Sequence, residues 1–133
     1  MTDTSIEILT AIRARLLADA TVSDLVGSSI YTHIPQNTSV PYIRIGLRSS
    51  PVDLWQGQEH VYIVTVQGFF SSINLALQAK KAIYNALQRQ EANMNDITSI
   101  NHNGFSDVFQ EKESYLWQSI ISFKVESTTI NGD

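Results

Sequence analysis

The chain is 133 residues long, 43% hydrophobic and 17% charged, with a formal net charge of −4. That length suits one domain, and that hydrophobic share supplies a core and separates the chain from disordered polypeptides. The lack of cysteine excludes disulfide scaffolds, cysteine-ligated zinc, iron–sulfur clusters and cysteine nucleophiles. Nine scattered Lys and Arg against thirteen Asp and Glu argue against a large nucleic-acid footprint.

The first residues, Met1-Thr2-Asp3-Thr4, carry no basic n-region and no apolar run, so no secretory leader is expected. No stretch reaches the ~18 apolar residues of a membrane span. A helix is expected over residues 5–18. Thr4 and Glu7 form a capping-box pattern, and Ile6, Leu9, Ile12 and Leu16 recur at spacings of three and four. Glu7, Arg13 and Arg15 are expected to face water. A short helical turn over Val22–Val26 ends at Gly27, which suits a left-handed cap. Ile30-Tyr31-Thr32 is a short strand candidate, and His33–Pro41, with two prolines, reads as a loop.

Tyr42–Arg48 reads as a strand with an aliphatic face, Ile43, Ile45 and Leu47, against the mixed face of Tyr42, Arg44, Gly46 and Arg48. Ser49–Gln58 is a polar connection that nevertheless carries Val52, Leu54 and Trp55. Glu59–Phe70 is the longest β signal and is apolar on both faces, as a central strand would be. Ser71-Ser72 opens a second helix over about residues 72–88, with a stripe of Ile73, Ala76, Ala79 or Lys80, Ile83 and Leu87. Gln88–Asn95 is a polar link.

Ile97–Ile100 and Phe105–Phe109 are weaker strand candidates. Asn103-Gly104 between them marks either a type I′ turn, making residues 97–110 a hairpin, or a bulge within one irregular strand. Tyr115–Glu126 closes the fold, with Tyr115, Trp117, Ile121, Phe123 and Val125 on one face and Ser119 as a gap. Residues 127–133 read as a flexible tail. The order predicts an α+β single domain over residues 1–133: a mainly antiparallel or mixed sheet of four to five strands, with two helices packed on one face.

Chemistry is sparse. His33, His60 and His102 form no H-x-x-x-H or H-x-H pair, so no metal site is expected. No G-x-S-x-G elbow and no phosphate-binding glycine loop occurs, and no catalytic residue or cofactor is assigned. Glu111 and Glu113 lie two apart at an acidic turn, which lacks the cleft that acid–base work requires. Ser71-Ser72 is read as a helix cap before an anion site. Trp55, a large apolar side chain on a polar connection, marks either a fold-over onto the domain's own core or a contact with a partner.

Several segments together resemble a known family. They are Ala18-Asp19-Ala20, then Val22, Leu25-Val26-Gly27 and Ile30-Tyr31; Pro35 followed by Pro41-Tyr42-Ile43; Gly57 and His60 before the alternating Val61–Phe70 and an Ala-rich helix; and the closing Phe123-Lys124-Val125-Glu126. In order and spacing, over roughly residues 8–126, they resemble the tail completion or tail terminator proteins of long-tailed bacteriophages and gene transfer agents. Ser29 stands where a basic residue is often found, and Phe70-Ser71 where Trp-Ser is usual.

The resemblance implies a structural virion protein without catalytic activity. Such subunits form a ring, typically a hexamer, that caps the tail tube and joins it to the head–tail connector, while DNA passes through the lumen without sequence-specific binding. The partners implied are other copies of the chain, the tail tube protein and the connector protein, with no membrane. Candidate subunit contacts are Val52, Leu54 and Trp55, with Gln36 and Asn37 of the 33–41 loop. Asp107, Glu111 and Glu113 are candidates for an acidic lumen that repels phosphate, with an ordinary solvated hairpin as the alternative. The competing functions are a head–tail connector stopper or adaptor, and a small ligand-binding or hydrolase domain that uses His60 or His102.

Overall fold

The computed structural model describes residues 5–49, 59–95 and 97–128. Helix α1 spans Ser5–Ala18, α2 Ala20–Val26 and α3 Ile73–Leu87. Strands are β1 Ile30–Tyr31, β2 Tyr42–Ser49, β3 Glu59–Phe70, β4 Ser99–Gln110 and β5 Trp117–Thr128, with a 3-10 turn at Glu91–Asn93. The strands form one mixed sheet in the order β1-β2-β3-β5-β4. Among the described residues only β1 and β2 are parallel; the three other pairings are antiparallel. The domain is α+β, as expected, with three α-helices among the described residues rather than two.

Helix α1 has the expected bounds but a different buried face. Ile8, Ala11, Ile12 and Leu16 enter the core, whereas Ile6 is 73% exposed. Arg13 and Arg15 do not simply face water. The Nε of Arg13 donates to the Ile30 carbonyl at 2.8 Å, and that of Arg15 donates to the Ala86 carbonyl at 2.9 Å. These bonds tie α1 to β1 and to the last turn of α3, where the positive charge also complements the helix dipole. Of the expected capping box, Thr4 lies outside the described residues. Helix α2 is a full element: Asp19 caps it by accepting from the Val22 amide, and Gly27, at φ 61°, ends it.

Helix α3 begins at Ser72, whose hydroxyl accepts from the Leu75 amide at 3.3 Å. Its buried face is Ala76, Ala79, Ala82, Ile83, Ala86 and Leu87. The small alanines let the helix lie close across β3, β4 and β5. Ile73, expected in the stripe, is 44% exposed at the first turn.

All three helices lie on one side of the sheet. Ile43, Ile45, Tyr62, Val64, Val66, Phe70, Ile100, Ile121, Phe123 and Val125 point toward them and are buried. Strand β3 is the central strand its two apolar faces predict. Gly68 sits opposite Ser119 on the core side, where any Cβ would strike the Phe70 ring. Burial of each large side chain in this layer contributes about 1.5–3 kcal/mol.

Residues 99–110 form one strand whose register shifts between His102 and Ser106, so Asn103-Gly104 belongs to a bulge and not to a hairpin turn. Gly104 supplies the positive φ, 81°. The hairpin turn lies instead between β4 and β5. Tyr115 was expected on the core face of the last strand; it sits in this turn at φ 59° and is 71% exposed. Strand β5 runs on to Thr128, taking in the first two residues expected in the tail, and the Ser127 side chain is buried.

Candidate assembly surfaces

The side of the sheet away from the helices is bare among the described residues. Arg44, Gly46, Leu47, Ile63, Thr65, Gln67 and Ile120 line an open hollow of about 330 Å³ on it. The floor is organised by short polar bonds. Arg44 Nη1 donates to Gln67 Oε1 at 3.0 Å, and the Thr65 and Ser122 hydroxyls meet at 3.3 Å. Beside the hollow, Tyr42 stacks on Phe69 with ring centroids 4.7 Å apart, and Tyr31 leans on Tyr42 at 6.4 Å. The Tyr42 phenol is held above its ordinary value, first by burial and second by the Glu111 carboxylate. No convergent set of nucleophile, base and acid lines the hollow.

The second surface is strand β4 with the turn that follows it. Beyond the bulge this strand stands clear of the helices: Phe105 is 50% and Phe109 39% exposed. Among the described residues no strand pairs with its far edge. The turn is held from within. Glu111 accepts from the Ser114 hydroxyl at 2.9 Å and from Gln118 Nε2 at 2.6 Å, while Tyr115 N donates to the Glu111 carbonyl at 2.9 Å. The Glu111 carboxylate therefore organises the hairpin, whereas Asp107 and Glu113 are exposed. Asp107 accepts from the Val108 amide at 2.8 Å.

The histidines fall into separate settings. His33 is exposed in the loop after β1, and His60 lies in β3 opposite Ser127. His102 packs edge-on against Tyr84 and Phe123, and its Nε2 meets the Phe105 carbonyl at 3.2 Å across the bulge. It pins an irregular strand to α3. No group of three or more metal-ligating side chains occurs among the described residues.

Gln36 and Asn37 are exposed in the 33–41 loop, where Asn37 adopts φ 62°. Val52, Leu54 and Trp55 lie outside the described residues. The residues missed by sequence reasoning are Arg44, Tyr42, Phe105 and Phe109 as surface features. The mixed face of Tyr42–Arg48 was visible, but which β4 residues share that face depends on pairing four strands in register. A further exposed apolar stripe, Ile73, Leu77 and Tyr84, runs along α3.

The fold has a solved counterpart. It superposes on a chain of the virion of a native gene transfer agent particle with a TM-score of 0.81, covering 97% of this chain and 100% of that one, at 15% identity. No curated protein matches the chain. The family model described as tail completion protein gp17 matches residues 10–125, and the chain belongs to that family. It is a phage-type structural protein of the tail, with its place in the virion, as the resemblance in its sequence implied.

Proposed function

We propose that this chain is a tail terminator subunit. Copies close into a ring, a hexamer on the resemblance, that caps the finished tail tube and presents a surface to the head–tail connector. The protein works by contact and performs no catalysis. The observation that carries this reading is the one-sided fold of a tail completion family member. Every helix lies on one face of the sheet, and the other face and the β4 edge are left without cover among the described residues. Open edges and faces of that size call for a neighbour.

A ring follows from heterologous association, in which one surface of a subunit meets a different surface of the next and the rotation closes. Closure ends tube growth because the exposed end no longer repeats the tube's own surface. Leu54, Trp55 and Val52, with Gln36 and Asn37, contribute to subunit contacts. Glu113 contributes negative charge that lets DNA slide past without sticking.

The test is mass photometry and negative-stain imaging of the protein alone and mixed with purified tail tubes. Ring-sized species on tube ends are expected, and Trp55→Ala is expected to weaken assembly by about tenfold or more, as loss of a buried aromatic anchor does. A protein that stays monomeric and leaves tube ends bare refutes the function. Undiminished assembly of Trp55→Ala removes Trp55 from the contact.

A further inference from the structure

The two edges of the sheet are complementary. Strands β2, β3, β5 and β4 alternate in direction, so β2 and β5 run one way and β3 and β4 the other. With four long strands, the two outermost run in opposite senses. Copies related by rotation about an axis along the strands keep one orientation. The β4 of one copy then meets the β1–β2 edge of the next in antiparallel fashion, the better-paired geometry. Strand β1 runs with β2 and covers only Ile43 and Arg44 on that edge, so it too is antiparallel to the neighbour's β4.

Side chains match along this seam. Asp107 pairs with Ile120, Ile120 with Gln67, Gln67 with Arg44, and Arg44 with Tyr31 of the short β1, so Asp107 ends one row at the β4 edge and Arg44 lies one strand inside the other end. The next row runs from Phe109 through Gln118 and Phe69 to Tyr42. One row thus has a carboxylate at one edge and a guanidinium one strand in from the other; the next has an aromatic ring at each end. Among the described residues neither Asp107 nor Arg44 has a partner of opposite charge. A two-fold pairing of β4 with β4 centred on Asp107 would instead bring that residue against its own copy, which like charge disfavours.

We propose that neighbouring copies join edge to edge, β4 against the next copy's β1–β2 edge, into one sheet continuous across subunits. Asp107 meets the neighbour's Arg44 there, and Phe109 meets the neighbour's Tyr31–Tyr42 pair. This deepens the ring reading and rests on it. Because Tyr31 of β1 pairs with Arg44, the Cα atoms of Asp107 and the neighbour's Arg44 lie about 10 Å apart across it, two strand spacings. A long Arg side chain spans most of that gap.

The test is a charge exchange, read by mass photometry on tail tubes. Asp107→Arg and Arg44→Asp each place like charges across the seam, and each is expected to raise the concentration for ring formation about tenfold or more. The double variant Asp107→Arg with Arg44→Asp is expected to return to within about threefold of the unaltered chain, since it restores an opposite pair. Thermal melts of the monomers, unchanged by the substitutions, separate lost assembly from lost fold. Single variants that assemble normally, or a double variant no better than the singles, overturn the edge pairing and leave the ring standing. An unaltered chain that forms no ring on tubes takes both down.

Discussion

Replacing Gly68 by alanine should destabilise the fold measurably, although glycine in a strand is ordinarily a weakness. A Cβ at Gly68 would lie 2.5 Å from Phe70 Cε2 and 2.8 Å from Ser119 Oγ. That first contact is about 1 Å inside the ~3.5 Å optimum for carbon pairs. Neither neighbour can retreat easily, because Phe70 and Ser119 are fully buried on the two strands at the sheet's centre. Overpacking of this kind costs about 1–3 kcal/mol. The lower entropy of the unfolded alanine chain returns about 0.4–1 kcal/mol. The expected net loss is about 1–2 kcal/mol, which for a domain of this size lowers Tm by roughly 3–10 °C. Differential scanning calorimetry and urea unfolding on the dispersed protein measure it. Gly46 is the internal comparison: a Cβ there meets Arg44 Nη1 at 3.7 Å and Thr65 O at 3.9 Å, ordinary contacts. Gly46→Ala should hold its stability or gain about 0.4–1 kcal/mol. A Gly68→Ala protein as stable as Gly46→Ala would refute the close-approach argument.

Arg15→Ala should cost about 1–2 kcal/mol, because it leaves the Ala86 carbonyl without its charged donor; hydrogen exchange should show the loosening in the last turn of α3. Exposed Lys81→Ala should stay within about 0.5 kcal/mol. Tyr42 should titrate above the usual phenol value of 10.0, seen as the 295 nm difference between the unaltered chain and Tyr42→Phe. Glu111→Gln should lower that midpoint only in part, since burial is the larger cause. Because the folded value is raised, the contribution of Tyr42 to stability is complete below pH 10.0 and is lost as pH climbs through the folded value; Tyr42→Phe should remove that slope.

Local periodicity made much of this fold legible. The bounds of α1 and β3 follow from caps, alternation and turn residues that act within a few positions of one another. The errors have local causes too. Ile6 and Ile8 both fit a stripe through Ile12 and Leu16, and only the docking of α1 decides which one is buried. Tyr115 continues an even spacing one step too far, into a turn. Arg13 and Arg15 look like solvated charges until carbonyl groups 17 and 71 residues away arrive beside them. The surfaces were less legible than the core for the same reason. Val52, Leu54 and Trp55 stand out by hydrophobicity alone, whereas the match of Asp107 with Arg44 emerges only when four strands are set in register. The acidic group of Asp107, Glu111 and Glu113 divides once Glu111 is seen to organise the hairpin.

The bulge at Asn103-Gly104 limits what the free edge of β4 can accept. A straight, flat border twelve residues long would invite any other strand to join it and grow into fibrils. The bulge instead divides that border into two shorter runs, with His102 reaching across to the Phe105 carbonyl. A stray peptide finds too little unbroken length to latch onto, while a sister molecule with a matching contour can engage both runs at once. The same irregularity that spoils the ladder thereby favours a companion of matching contour over an arbitrary strand.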